Sequence, residues 1–448
     1  MLERWSPGYW IFRQYVKFSF WLFHRKIEVS GLENIPAGKP VIYAPNHQNA
    51  LSDALSLVYT VPHQTLWLAR ADIFQSAFAR PFLKFLKIVP VYRIRDGKET
   101  LSENDKIFGL CISVLKKNGA LGLFPEAAHS GKRQMLPHKK AISRIVSLAE
   151  EQTGFSLDIQ IIPVGIFYDQ YHNFGRRLLV SFGKPLSALD YKAQYLQNPQ
   201  PAVIALRNEI HRCILPLVVN FETRTNYEGF EAVRRICEKE LGWEPGKFCS
   251  LSHRLKTGQH IARELDRIET EDPLQAGKLA ESALELEKDL ENLNLKSWLV
   301  DHREESYRKL IFYALILLFS FPVFAFGFVF NALPFFFLDR LIKKKVKEAV
   351  FRSTFSFAAG LILFPLVYII ECILVSFIIP GWLFKLLFLV SLPLTGKMAF
   401  SWYILWLKTR GRGRWLKIKR SEPDLYRDFH RRKQEIVSQM SFGTPSGV

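Results

Sequence analysis

From Leu310 to Leu338 the chain carries no charged residue. That run exceeds the roughly 20 apolar residues a helix needs to cross a bilayer core. Two more follow: Ser353 to Phe384, with Glu371 as its sole charge, and Leu386 to Leu407, with Lys397 as its sole charge. A chain with this pattern must embed or bury much of its last third. The sequence therefore predicts membrane helices over 310–407 and a basic cytoplasmic tail over 408–448. Pro322, Asn331 and Pro334 predict a re-entrant or broken hairpin in the first run, and "IIPGW" (Ile378–Trp382) predicts the turn of a second hairpin, making the region multi-pass or re-entrant.

Basic residues outnumber acidic ones by 61 to 42, a net charge of +19. In a soluble protein that balance would raise nucleic acid first. Here the cations cluster at Arg303, Arg308 and Lys309, at Arg340–Lys347 and at Lys408–Arg420, each beside an apolar run. That is the positive-inside pattern, and it suits anionic lipid headgroups. It predicts membrane lipids as partners, no nucleic acid, and a soluble portion on the cytoplasmic face of the inner membrane. Five widely spaced cysteines with no CxxC pair point to a reducing compartment and to no metal site. At the N-terminus, Arg13, Lys17, Arg25 and Lys26 are scattered among aromatics, which predicts an interfacial helix over 1–25.

Residues 26–225 read as an α/β domain, a mixed central sheet flanked by helices. Candidate strands are Val41–Ala44, Thr65–Ala69, Ile88–Tyr92, Ala120–Phe124, Ile159–Ile166 and Leu178–Gly183. Leu101–Gly119 has helical spacing and stops on Asn-Gly. Over 226–309 the texture turns to helix formers and charge. There Leu279, Ala283, Leu286, Leu290 and Leu293 step by four, three, four and three, a heptad seam. Such a seam over 278–295 serves a bundle within the chain, a cover for the core, or self-association.

Three clusters carry chemistry. In "YAPNHQNALSDAL" (Tyr43–Leu55) a strand runs into a polar turn holding His47, with Asp53 six positions on. A neutral imidazole oriented by a carboxylate can take the proton of an alcohol that attacks a carbonyl, although a His in a polar loop is more often structural. In "LGLFPEAAHSGKRQMLPHKK" (Leu121–Lys140) a strand leads to Glu126, to small residues, and to Lys132 and Arg133, a set suited to a phosphate-bearing polyol. In "IVPVYRIRDGKET" (Ile88–Thr100) Arg93 leaves the end of a strand, within reach of an anion.

Taken in order, these clusters resemble the glycerolipid acyltransferase family, membrane enzymes that acylate glycerol 3-phosphate or lysophosphatidic acid. "NHQNALSD" looks like the family's His-four-residues-Asp block, "VPVYR" like its phosphate-binding Arg block, "FPEAAHSGK" like its Phe-Pro-Glu-Gly-Thr-Arg block, and "IIPVGI" like its apolar strand with an internal Pro. The resemblance covers roughly residues 20 to 220, with a variant third block similar to that of yeast-type glycerol 3-phosphate acyltransferases and their bacterial relatives. It implies that His47 is the general base and Asp53 its orienting carboxylate. Arg93, with Lys132 or Arg133, would hold the acceptor phosphate, and Glu126 would position the glycerol. The donor would be acyl-CoA or acyl-carrier protein, with no other cofactor and no metal, in phospholipid biosynthesis.

The sequence departs from the family at two points. Five residues, not four, separate His47 from Asp53, and one extra residue inside a helix would swing Asp53 by about 100°. The pair can therefore meet only if the addition lies in the pre-helical loop, around Gln48–Ala50. In the third block, Ala127, Ala128 and His129 stand where Gly, Thr and Arg are usual. If these changes silence the site, the alternative is a non-catalytic membrane scaffold that keeps the fold.

Overall fold

The computed structural model describes residues 4–75, 77, 79–92, 103–171, 174–241, 250–300, 305–378 and 380–440. It divides into two compact units, one of residues 1–218 with 348–357, the other of residues 219–347 with 358–448.

In the first unit the chain runs α1 (Pro7–Phe23), β1 (Lys26–Ser30), β2 (Val41–Pro45), α2 (Ala50–Thr60), β3 (Leu66–Arg70), α3 (Ala79–Phe85), β4 (Ile88–Val91), α4 (Glu103–Leu115), β5 (Ala120–Gly122), α5 (Ala141–Glu151), β6 (Gln160–Tyr168), β7 (Arg177–Phe182), β8 (Leu186–Ser187), α6 (Lys192–Gln197) and α7 (Pro199–Ile214). The eight strands form one sheet in the order β1-β7-β6-β2-β5-β3-β4, with β8 added beside β6. From β6 through β2, β5 and β3 to β4 every pairing is parallel; β7 and β8 meet β6 antiparallel, and β1 pairs parallel with β7. The sheet is thus mixed and flanked by helices, as expected.

All six candidate strands form. The central ones are apolar on both faces because helices cover both; Val41–Pro45 and Gln160–Tyr168 are buried throughout. One face packs Ile42, Leu121 and Ile161 against Ile145 and Val146 of α5 and Leu206 of α7. β1, "KIEVS", was not foreseen. It is an edge strand with exposed ends, so it lacks the apolar pattern that marks a buried one.

Helix α1 buries Tyr9, Arg13, Val16 and Phe20, spaced four, three and four apart, and exposes Trp10, Ile11, Phe18 and Trp21. Its Arg13 is only 5% exposed. The guanidinium donates to the carbonyls of Val58 (3.0 Å), Val61 and Pro62 (3.2 Å), satisfying the open C-terminal end of α2, the helix that carries Asp53.

The second unit contains α8 (Tyr227–Leu241), α9 (Leu251–Glu271), α10 (Pro273–Asn292), α11 (Tyr307–Lys345), the rest of α12 (Ala349–Ser376), α13 (Trp382–Ser421) and α14 (Pro423–Gln439). Leu279, Ala283, Leu286 and Leu290 of the heptad seam are at most 2% exposed, in a bundle formed with α8, α9 and α14. A Cβ on Gly229 of α8 would lie 2.3 Å from the Ala280 Cβ of α10, so the two helices approach at backbone distance.

Three helices, Tyr307–Lys345, Phe351–Ser376 and Trp382–Ser421, are long and apolar enough to cross a membrane. The first is one continuous helix of 39 residues, about 58 Å at 1.5 Å per residue, where the sequence suggested a broken hairpin. Pro322 and Pro334 lie inside it. Each proline removes a single backbone donor, and packing against neighbours carries the helix past that loss. Asn331 donates to Gly327 O (2.9 Å) and Leu392 O (3.2 Å) and accepts from the Tyr368 hydroxyl at 2.6 Å, a satisfied polar junction between α11, α12 and α13.

Gly165 in β6 sits where a Cβ would fall 2.2 Å from Leu217 O. Gly165→Ala should therefore destabilise the first unit by about 1–3 kcal/mol. Thermal or denaturant unfolding would register this, and an unchanged midpoint would contradict the close approach.

Candidate active site

The carboxyl ends of parallel strands converge on one edge of the sheet, the usual ligand edge of such folds. β2 ends into Asn46–His47, β5 into Phe124–Glu126, and β3 at Arg70. Asn46 extends the sheet by a side-chain clamp: Ile166 N donates to its Oδ1 at 2.7 Å, and its Nδ2 donates to Ile166 O at 3.3 Å. His47 is thereby fixed at the end of the ladder.

His47 Nδ1 lies 2.9 Å from Asp53 Oδ2. The same oxygen accepts the backbone N–H groups of Gln48 (2.8 Å) and Asn49 (2.7 Å). Three donors thus converge on one carboxylate oxygen, which puts the proton on Nδ1 and leaves Nε2 as the free base. The extra residue lies in the pre-helical loop. Asn49 stands at the N-cap position of α2 without a side-chain capping bond, and Ala50, the helix's first residue, takes φ +43°, a left-handed conformation that costs a non-glycine residue about 1–2 kcal/mol. That turn absorbs the insertion, so Asp53 still faces His47. The imidazole stacks on Phe124 at 4.1 Å between centroids.

Glu126 is 1% exposed and faces the backbone. Its Oε1 accepts His47 N at 2.8 Å and its Oε2 accepts Leu136 N at 2.9 Å, tying the loop after β5 to the His47 turn. Burial, with a smaller push from the Asp53 charge, raises its carboxyl to about 8 against the pull of the two N–H donors. Next to it Ala127 has φ +57°, so the position where the family pattern carries Gly keeps the glycine-like conformation with an Ala.

Arg133 is 3% exposed, donates to Tyr168 O at 2.8 Å, and stacks 5.0 Å from the Phe167 and Tyr171 rings, so the structure sets it in the wall of the domain. Lys132 is half-buried in a turn where Ser130 Oγ donates to Lys132 O at 2.9 Å. Arg93 lies outside the described residues.

Three elements at the site escaped the sequence reading. Arg70 ends β3 as Arg93 follows β4, and strand-end position was the one signal for it. Arg176, 2% exposed, donates to Ser52 Oγ (2.8 Å), to His24 Nε2 (3.2 Å) and to Tyr171 O, and lies 4.5 Å over the Tyr168 ring. Burial, and after it the Asp53 charge, hold the Tyr168 hydroxyl well above its ordinary range. The third is the segment 348–357, which opens α12. Ser353 Oγ donates to Asn49 Oδ1 at 3.1 Å, both residues being buried, and Asn49 Nδ2 donates to Tyr171 O at 2.8 Å. Phe357 meets Phe20 and Phe23 of α1 at 5.8 and 5.7 Å.

Residues 26–167 match the family model described as Acyltransferase. The chain is 23% identical over 288 residues to glycerol-3-phosphate O-acyltransferase 1 of Saccharomyces cerevisiae, covering 59% of this chain and 36% of that protein. To glycerol-3-phosphate O-acyltransferase 2 of the same yeast it is 23% identical, over 30% of this chain and 18% of the relative. To the 1-acyl-sn-glycerol-3-phosphate acyltransferase of Borreliella burgdorferi it is 30% identical, over 35% of this chain and 56% of the relative. The chain therefore spans from under a fifth to just over half the length of these curated relatives. A crystal structure of the 1-acyl-sn-glycerophosphate (LPA) acyltransferase from Thermotoga maritima overlaps 46% of this chain and 76% of its own at 19% identity, with a TM-score of 0.33.

A carboxyl raised from 4.5 to about 8 in the folded state adds stability below about pH 4.5 that is lost as pH rises through 8. Glu126→Gln abolishes this titration while setting an NH2 group against one of the two backbone donors. Thermal midpoints should thus show the wild type losing ground relative to Glu126→Gln between about pH 5 and 8. A pH-independent gap would contradict the raised value.

Proposed function

We propose that this chain, a member of the acyltransferase family through residues 26–167, moves a fatty acyl group from a thioester donor, acyl-CoA or acyl-carrier protein, to a hydroxyl of glycerol 3-phosphate or lysophosphatidic acid. The observation that carries this reading is the 2.9 Å contact between His47 Nδ1 and Asp53 Oδ2, which leaves Nε2 available at the edge of the sheet.

In this mechanism Nε2 takes the proton of the acceptor hydroxyl as its oxygen adds to the thioester carbonyl carbon. Asp53 holds the tautomer and stabilises the imidazolium. The tetrahedral intermediate then collapses, the C–S bond breaks, and the departing thiolate takes the proton from His47. Glu126 acts through the backbone: by accepting His47 N and Leu136 N it fixes the distance between the base and the loop after β5. We assign the acceptor phosphate to Arg70, Arg93 and Lys132 and leave Arg133 to hold the wall, since its guanidinium faces the Tyr168 carbonyl and two aromatic rings. Relatives named for either acceptor are compatible with both alternatives. The three long apolar helices and their basic flanks support a membrane location, the cytoplasmic face being our reading of the charge pattern.

Membranes carrying the full chain, offered labelled acyl-CoA or acyl-carrier protein with each acceptor, should transfer label to one of them. His47→Ala should lower kcat by at least about 10²-fold and Asp53→Asn by up to about 10⁴-fold. Wild-type rates in both variants would refute the mechanism.

A further inference from the structure

The loop after β5 brings a second imidazole to the first. The His129 ring lies 5.5 Å from the His47 ring, centroid to centroid, at 69°. Phe351, from the segment that opens α12, meets His129 at 4.9 Å and 80° and fixes the plane of its ring. Both belong to the first unit. No described residue hydrogen-bonds to either ring nitrogen of His129, although the ring is half-buried beside the base.

We propose that His129 is a second catalytic residue, donating an N–H hydrogen bond to the oxyanion that forms when the acceptor hydroxyl adds to the thioester carbonyl. This rests on the His47 reading above. The attacked carbon must lie one bond beyond an oxygen held roughly 3 Å from His47 Nε2, and the oxyanion must come within about 2.7–3.1 Å of its donor. With its centroid 5.5 Å from that of the base ring, His129 lies within the span those distances allow. Its protonation state fits the task. Burial first, then the positive character of His47 and Arg70, holds His129 below the ordinary imidazole range against the opposing pull of Asp53 and Glu348. A neutral ring offers one N–H, which suits an oxygen that is charged only transiently, whereas a phosphate calls for a cation. No proton leaves His129: the hydroxyl proton goes to His47 and then to the thiolate, while the carbonyl π electrons move to oxygen and return as the C–S bond breaks.

The test compares wild type, His129→Phe, His129→Gln, Phe351→Leu and His47→Ala in full-length chain, measuring kcat and KM for acyl-CoA with glycerol 3-phosphate and with lysophosphatidic acid. His129→Phe should lower kcat about 10²–10³-fold with little change in either KM, the loss typical of a single oxyanion donor. His129→Gln, which restores a donor, should recover part of that loss, and Phe351→Leu should lower kcat more mildly by freeing the ring. Wild-type kcat in His129→Phe alongside an inactive His47→Ala would overturn this proposal and leave the base intact. An active His47→Ala would instead overturn the underlying mechanism. Should His129→Phe fail to fold, His129→Gln decides: a raised KM at unchanged kcat would make the residue a binding group and overturn the proposal.

Discussion

Three N–H donors meeting on Asp53 Oδ2 hold the site together. Two are backbone amides of the loop and the third is the His47 imidazole, so the carboxylate closes the loop and orients the ring in one step. A charged acceptor shared this way is stronger than a neutral one and has no slack in direction. The rest of the first unit supports that point: Arg13 completes the far end of α2, Asn46 pins the near end of the loop to β6, and Glu126 ties the His47 amide to the strand beside it.

Behind the dyad lies a polar layer built from distant parts of the chain. Arg176 reaches from the start of β7 to Ser52 on α2 and to His24 at the end of α1. His24 Nδ1 lies 2.8 Å from Phe20 O, so its Nε2 is the acceptor for the arginine. Tyr171 joins the same layer: its hydroxyl donates to Gln48 Oε1 at 2.5 Å, and its carbonyl accepts from Asn49 and Arg176. Ser353 adds the opening turn of an apolar helix to this layer. The site therefore depends on α1 and on the opening turn of α12 as well as on the sheet.

Much of this was legible in the sequence where pattern alone decides structure. The six candidate strands were readable because each is a run of apolar residues; β1, "KIEVS", was not, because charged and polar residues interrupt it. His47 and Asp53 could be paired because a strand, a polar turn and a helix constrain one another over a few residues. The five-residue spacing could not be judged in advance, since the answer lay in one dihedral, the φ of +43° at Ala50. Glu126 and Arg133 show a different limit. Both residue types suit a phosphate polyol, but whether a side chain turns to solvent or to buried backbone depends on packing that composition does not record. Ser353 and Phe351 were hidden by distance, Ser353 lying 304 positions from Asn49 and Phe351 222 from His129.

The geometry requires that Asp53 hold His47 in the Nδ1–H tautomer, with Nε2 free. The most direct measurement is nitrogen-15 NMR of histidine-labelled protein, comparing wild type with Asp53→Asn. The wild type should show a His47 signal with a protonated Nδ1, an unprotonated Nε2 and a strongly downfield Nδ1 proton that is lost in the variant. A His47 ring protonated on Nε2 in the wild type, or a pattern indifferent to Asp53→Asn, would contradict it.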